Sequence, residues 1–186
     1  MSSWRRGTSL VSWSLRLVLP EASASIGAAA RSVIATLGGF GEARDLRLVT
    51  AEEGDGPKAI RLTGEPQQLD VLLGRAGIEE LWLGLDLYMW TGLSDTETVE
   101  DGATICLEQG AEGELLCTLF LNVDFHSPRT WGDERDNRSL HRWNGPQLEA
   151  FFRRLERSCG AEVRSMDEGD YAGLVHARGF QSGPSL

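Results

Sequence analysis

The chain reads as an α+β domain, a mixed and mainly antiparallel sheet with about three helices packed on it. Three observations predict this. Apolar residues alternate with period two over several stretches, as where every second side chain of a strand points into a core. Over three other stretches they recur at helical spacing. Gly, Pro and charged residues separate the two kinds of segment.

The elements follow in order. Val11, Trp13, Leu15, Leu17 and Leu19 alternate as a first strand. Pro20 and Glu21 then open a helix in which Ile26, Ala29, Ala30, Val33, Ile34 and Leu37 share one face, ended by Gly38 and Gly39. Leu46 to Val49 and Ala59 to Leu62 are short strands, and EEGDGP (Glu52 to Pro57) between them has the composition of an exposed turn. A second helix starts near Pro66, turns Leu69, Leu72 and Leu73 inward and stops before Gly77. The next strand is LWLGLDLYMW, Leu81 to Trp90. To this point the order matches a ferredoxin-like βαββαβ unit.

Two more strands, Thr104 to Gln109 and Glu114 to His126, are joined by the hairpin connection GAEG, Gly110 to Gly113. If Gln109 opposes Glu114, Cys106 opposes Cys117, a register that the sequence alone leaves open. Ser127 to Trp143 is polar and longer than most connections. The capping-box pattern Asn144 to Gln147 begins a third helix whose stripe is Leu148, Phe151, Phe152, Leu155 and Cys159, ending before Gly160. A short strand at Ala161 to Ser165 returns to the sheet. Past Met166 the pattern fades, so residues 1–180 are expected to form one domain and 181–186 a disordered tail.

At 186 residues the chain is long enough to bury a core without staples. Its three cysteines are an odd number without CxxC or Cys/His spacing, which points to a reducing compartment and to no zinc site. Arg5 and Arg6 precede an apolar run, and Ala22-Ser23-Ala24 imitates a signal-peptidase site, but Arg16 divides the run. No segment approaches the roughly 20 apolar residues of a membrane-spanning helix. The expectation is a soluble, cytoplasmic protein with no membrane partner.

The net charge of −10 is concentrated in one part of the chain. Residues 1–75 carry nine basic and eight acidic groups, and residues 129–186 carry nine of each. Between them, Ala76 to Pro128 holds eleven acids and no Lys or Arg. Such a one-signed block repels nucleic acid and attracts basic protein surfaces, although a solvated acidic surface that only aids solubility has the same composition.

Two groups of residues are candidates for chemistry or recognition. Asn122, Asp124 and His126 share a face at the end of a strand; Asp124, His126 and His141 could form an acid-base constellation, with Asp133 and Glu134 as further carboxylates or metal ligands. That is the pattern of a small metal-dependent or acid-base hydrolase, but no fixed-spacing motif accompanies it. Nucleophile motifs are missing too, and GGFG follows a helix instead of preceding one, so it is no phosphate cradle. The second group is the even face of Leu81 to Trp90: Trp82, Asp86, Tyr88 and Trp90, where a carboxylate lies between aromatic rings. Either a helix covers this face, and Asp86 then needs a buried partner, or it belongs to an interface with acidic residues at its rim. The interface reading groups Trp82, Asp86, Tyr88, Trp90, Glu108, Glu112, Asp124, Trp131 and Trp143.

The acidic block Ala76 to Pro128, the strand LWLGLDLYMW and the long polar loop resemble, in kind, the bacterial immunity proteins, small cytoplasmic inhibitors that neutralise toxin domains. No family motif is matched, so the resemblance transfers no site residues. It implies a non-catalytic, acidic binding protein without cofactor or metal, whose basic protein partner is a toxin or enzyme covered at its active site or substrate groove. The excess of Arg over Lys, 17 to 1, suits a GC-rich bacterial genome.

Overall fold

The computed structural model describes residues 4–20, 25–50, 59–61, 66–74, 77–92, 94–111, 113–132 and 135–181. The turn expected at Glu52 to Pro57, the acids Glu112, Asp133 and Glu134, and all but the first residue of the expected tail lie outside them. The strands are β1 (Arg6–Leu17), β2 (Gly41–Thr50), β3 (Ala59–Arg61), β4 (Ile78–Trp90), β5 (Thr96–Gln109), β6 (Leu115–Val123), β7 (Glu162–Asp167) and the short pair β8 (Val175–His176) and β9 (Gly179–Phe180). The helices are α1 (Ile26–Thr36), α2 (Pro66–Leu73) and α3 (Arg138–Cys159).

The seven longer-range strands form one sheet in the order β3-β2-β4-β5-β6-β1-β7, every pair antiparallel. The α+β class is therefore as expected. The ferredoxin-like pairing of the first elements is not the one formed. In that arrangement β1 would lie among the strands of the first half, whereas here it pairs with β6 and β7 at the other side of the sheet. The neighbours of β1 are β6 and β7, so the connection through α1 to β2 spans most of the sheet's width.

One face of the sheet carries the core. Val11, Trp13, Leu15 and Leu17 of β1, Leu81 to Met89 at odd positions of β4, and the odd positions of β6 are buried in one cluster with Ala29, Ala30 and Val33 of α1, Leu72 and Leu73 of α2, and Leu148, Phe151, Phe152 and Leu155 of α3. The helix ends are tied to one another. Ser25 caps α1 by accepting the Ala28 N–H, and Arg154 of α3 donates to the carbonyls of Thr36 and Leu37 at 2.5 and 2.7 Å, satisfying two groups that a helix C-terminus leaves without partners. The terminal β8–β9 hairpin, which the sequence pattern did not reveal, closes the core beside β1: Trp13 donates to the His176 carbonyl at 2.8 Å and meets Phe180 edge-on.

Three boundaries depart from expectation. β5 begins at Thr96, not Thr104, because its polar first half pairs with Leu87 to Trp90 of β4 beyond an irregularity at Asp101, whose φ is 54°. β6 ends at Val123, and Gln109 opposes Leu115, one residue away from the register considered above. Cys106 consequently faces Thr118 while Leu107 faces Cys117, and the two cysteines lie on opposite faces of the sheet. The third shift concerns α3, which starts at Arg138, so Asn144 and Pro146 are interior helix residues and not a cap. The sequence Arg138 to Trp143 is too polar to show an apolar stripe, yet Asn137 to Asn144 is held from the inside by polar bonds described below.

Candidate functional site

All the buried apolar residues of β4 point towards the helices, so its even residues form the other face of the sheet. This face is open over most of its length: Trp82, Asp86 and Tyr88 are half-buried with no helix against them among the described residues, whereas Trp90, also half-buried, sits at the end where Gly39 and α3 reach it. Cross-strand register places its residues in rows. Arg47, Trp82, Cys106, Thr118 and Ser14 follow one another across β2, β4, β5, β6 and β1, and in the next row lie Asp45, Gly84, Thr104, Phe120 and Ser12. Gly84 is required by its neighbour, since a Cβ there would stand 2.5 Å from the Asp45 carboxylate. The Trp82 ring reaches diagonally over β5 to stack on Phe120, centroids 5.8 Å apart and planes 18° from parallel. Sequence reasoning missed Phe120 because LLCTLFLNV is mostly apolar on both faces. The available signal was its place between Thr118 and Asn122, which mark the less buried face.

Besides the exposed Arg47, which stands opposite Trp82 on β2 and makes no ion pair with Glu80 or Glu108, two groups of charge border this ring pair. On one side the Trp82 indole N–H donates to Glu80, and Glu80 stands directly opposite Glu108 across β4 and β5. Cys106, between them, has its thiol pushed up to about 12, first by burial and then by the charges of Glu80 and Glu108. On the other side Arg44 is shared by three carboxylates: it donates from Nε to Asp45 at 2.8 Å, bonds Asp101, and lies 3.8 Å from Asp86. The Asp101 carboxyl is held below its ordinary range, chiefly by the hydrogen bond from Arg44. Asp86 also accepts the Asp101 N–H at 3.0 Å, so this carboxylate has both an Arg and a backbone donor.

The aromatic residues of the face are not equivalent. Tyr88 donates to Glu42 at 3.1 Å, and burial raises its phenol above the usual range. Trp90 is structural: its indole donates to the Gly39 carbonyl at 3.2 Å, and its backbone N–H and C=O are bonded by the Asn144 side chain at 2.7 and 3.0 Å. Trp143 is half-buried beside the Arg142 guanidinium, 5.8 Å from its ring. Trp131, 40% exposed, lines a cavity of about 470 Å³ with Arg129, Asp170, Tyr171 and Leu174. Glu108 is exposed on the open face.

Asp124, His126 and His141 do come together, but inside the protein. Asp124 is 1% exposed, so its expected place on the partner-binding surface must be corrected. Its carboxylate accepts the N–H groups of Arg5 at 2.6 Å and Trp131 at 2.7 Å, and burial raises its pKa. The carboxylate thus fastens the chain entering β1 and the loop after β6. His126 donates from Nδ1 to the Asn144 carbonyl at 2.8 Å, and His141 donates from Nδ1 to the His126 carbonyl at 2.6 Å. Since a carbonyl only accepts, His126 is the Nδ1–H tautomer, and its unprotonated Nε2 has no partner among the described residues. Burial holds its pKa down to about 4. Gly145 makes room for this arrangement: a Cβ there would lie 2.6 Å from the His141 ring. Together with Asn137, which donates to the carbonyls of Asp124 and Ser127, these groups satisfy the backbone of a buried connection. They hold α3 against the end of β6 and do not present an acid-base pair to a substrate. No cluster of three His, Cys, Asp or Glu residues positioned for a metal ion occurs among the described residues. No helix among them is long and apolar enough to cross a membrane.

The chain matches no protein-family model, no curated protein and no solved structure.

Proposed function

We propose that the protein is a non-catalytic binding protein that docks a basic protein through the open face of its sheet, acting as an immunity-type inhibitor of a toxin or enzyme. The supporting observation is the face itself: a half-buried Trp82–Phe120 pair on a sheet surface with no helix over it among the described residues, bordered by Glu80 and Glu108 and by the Asp45, Asp86 and Asp101 group. Aromatic anchors inside a charged rim are the usual anatomy of a protein interface. An acidic rim steers a basic partner, and on such a surface charge governs the association rate while the anchors govern dissociation. A partner held across the sheet is covered over a broad area, which suffices to block an active site or a substrate groove without any chemistry by this chain.

The test begins with the immobilised protein and an extract of the source cells. A captured partner should be basic, lose its own activity in the complex, and associate more slowly as salt is raised. Trp82→Ala should shorten the lifetime of the complex. A partner that keeps full activity when bound, or a complex indifferent to both salt and Trp82→Ala, would overturn the reading.

A further inference from the structure

Resting on the docking face proposed above, we infer that the Trp82–Phe120 pair with Glu80 and Glu108 forms a receiving site for an arginine side chain of the partner, in preference to lysine. Three observations carry it. First, Glu80 and Glu108 are directly opposed across β4 and β5. Like charges in that position repel and weaken an isolated sheet, so a cation brought between them gains attraction from both and removes the repulsion. Second, the indole N–H of Trp82 is bonded to Glu80, which places one of the carboxylates at the edge of the ring. Aromatic face and carboxylate are therefore adjacent, and a guanidinium is the cation that can use both at once, stacking its plane on a ring while its fork of N–H groups meets carboxylate oxygens. A lysine ammonium, compact and strongly hydrated, gains from the charges but little from stacking. Third, the contrast with the other acidic group on this face is chemical. The Asp45, Asp86 and Asp101 carboxylates already hold the chain's own Arg44, which shows the same recognition occupied from within.

The experiment compares fluorescently labelled oligoarginine and oligolysine peptides of equal length, titrated with the intact protein at low ionic strength. Oligoarginine should bind about two- to fivefold more tightly, the range that one exposed cation–π contact supplies. The ratio should fall to near one in Trp82→Ala. Glu108→Gln should weaken oligoarginine severalfold without lowering the thermal midpoint, because it also removes the Glu80–Glu108 repulsion; a residue needed only for the fold would lower both. If Trp82→Ala does not fold, Phe120→Leu reads the same ratio, since it removes the ring on which the indole is stacked. Equal affinity for the two peptides, or a preference that survives the ring substitutions, overturns the arginine site while leaving acidic docking intact. Binding of neither peptide by the folded protein overturns the docking face as well.

Discussion

Alternate residues of β4 live in two different solvents. Leu81, Leu83, Leu85 and Leu87 are fully buried under the helices, whereas Trp82, Asp86 and Tyr88, one residue away in each case, stand half-buried on the open face. Both sets contain large side chains and both are strand residues, so neither size nor secondary structure separates them. What separates them is the placement of α1, α2 and α3 on one side. A sheet covered on one face only is stable when antiparallel, and it leaves the second face available for another molecule. The largest expected effect tests that division. Leu83→Ala or Leu85→Ala should cost roughly 2 to 5 kcal/mol in folding free energy by opening a cavity in the core. Trp82→Ala should cost clearly less in denaturant unfolding, because its ring loses one stacked partner and a half-exposed surface. Equal losses from the two faces would break the comparison.

The buried connection between β6 and α3 is the next largest. His126 has an unfolded pKa near 6.5 and a native value of about 4, so the unfolded chain binds the proton first as pH falls. Its contribution is fully present above pH 6.5 and is lost progressively as pH drops to about 4, on the order of 3 kcal/mol at most. Asp124 acts in the opposite sense. Its raised native pKa means that the native state takes up a proton before the unfolded one, which restores some stability as pH falls through that raised value. Unfolding midpoints should therefore fall between pH 6.5 and pH 4, most steeply about midway between those values. The slope should flatten in His126→Gln, and a pH-independent midpoint in the unsubstituted protein would show that the imidazole is not held neutral by burial.

Asn144 joins the two regions, since its side chain acts as a short strand against the outer flank of Trp90 while its carbonyl holds His126. Asn144→Ala leaves the Trp90 N–H and C=O without these partners, at a cost of about 1 to 3 kcal/mol if water does not replace them. The same substitution should speed amide exchange at Trp90 more than at Leu83, which exchanges only with opening of the central strands.

Much of this was legible in the chain. The odd face of β4, the stripes of α1 and α3, and the aromatic character of residues 82 to 90 follow from local periodicity, which the fold preserves. What escaped depends on distant partners. β5 from Thr96 to Glu100 is polar and becomes a strand only because Leu87 to Trp90 offers it a pairing edge. The first turns of α3 carry Arg138, His141 and Arg142, and the Asn144 to Gln147 pattern that imitates a cap is instead an interior segment whose Asn144 binds β4 and His126, in the connection after β6. Asp124 and His126 looked like a reactive edge for the same reason that they are structural: a buried, irregular connection needs polar side chains to satisfy its backbone. Phe120 joined the candidate site only once register had set its face.

The smallest expected effect belongs to Asp86, whose carboxylate between aromatic rings first suggested a special face. Its side chain is only 14% exposed, and truncating one member of a buried ion pair ordinarily leaves a charge uncompensated. Here that penalty should not arise. Arg44 retains Asp45 and Asp101, both closer to it than Asp86, and an asparagine Oδ1 can still accept the Asp101 N–H. Three carboxylates around one guanidinium also repel one another, so removing one charge offsets part of what its attraction contributed. Asp86→Asn should therefore change folding stability by no more than about 0.5 kcal/mol, in the range of exposed pairs. Its effect should appear in association with a basic partner, which should slow at low salt and converge with the unsubstituted protein as salt is raised. A loss of several kcal/mol on unfolding would instead make Asp86 a keystone of the Arg44 group and return it from the docking face to the fold.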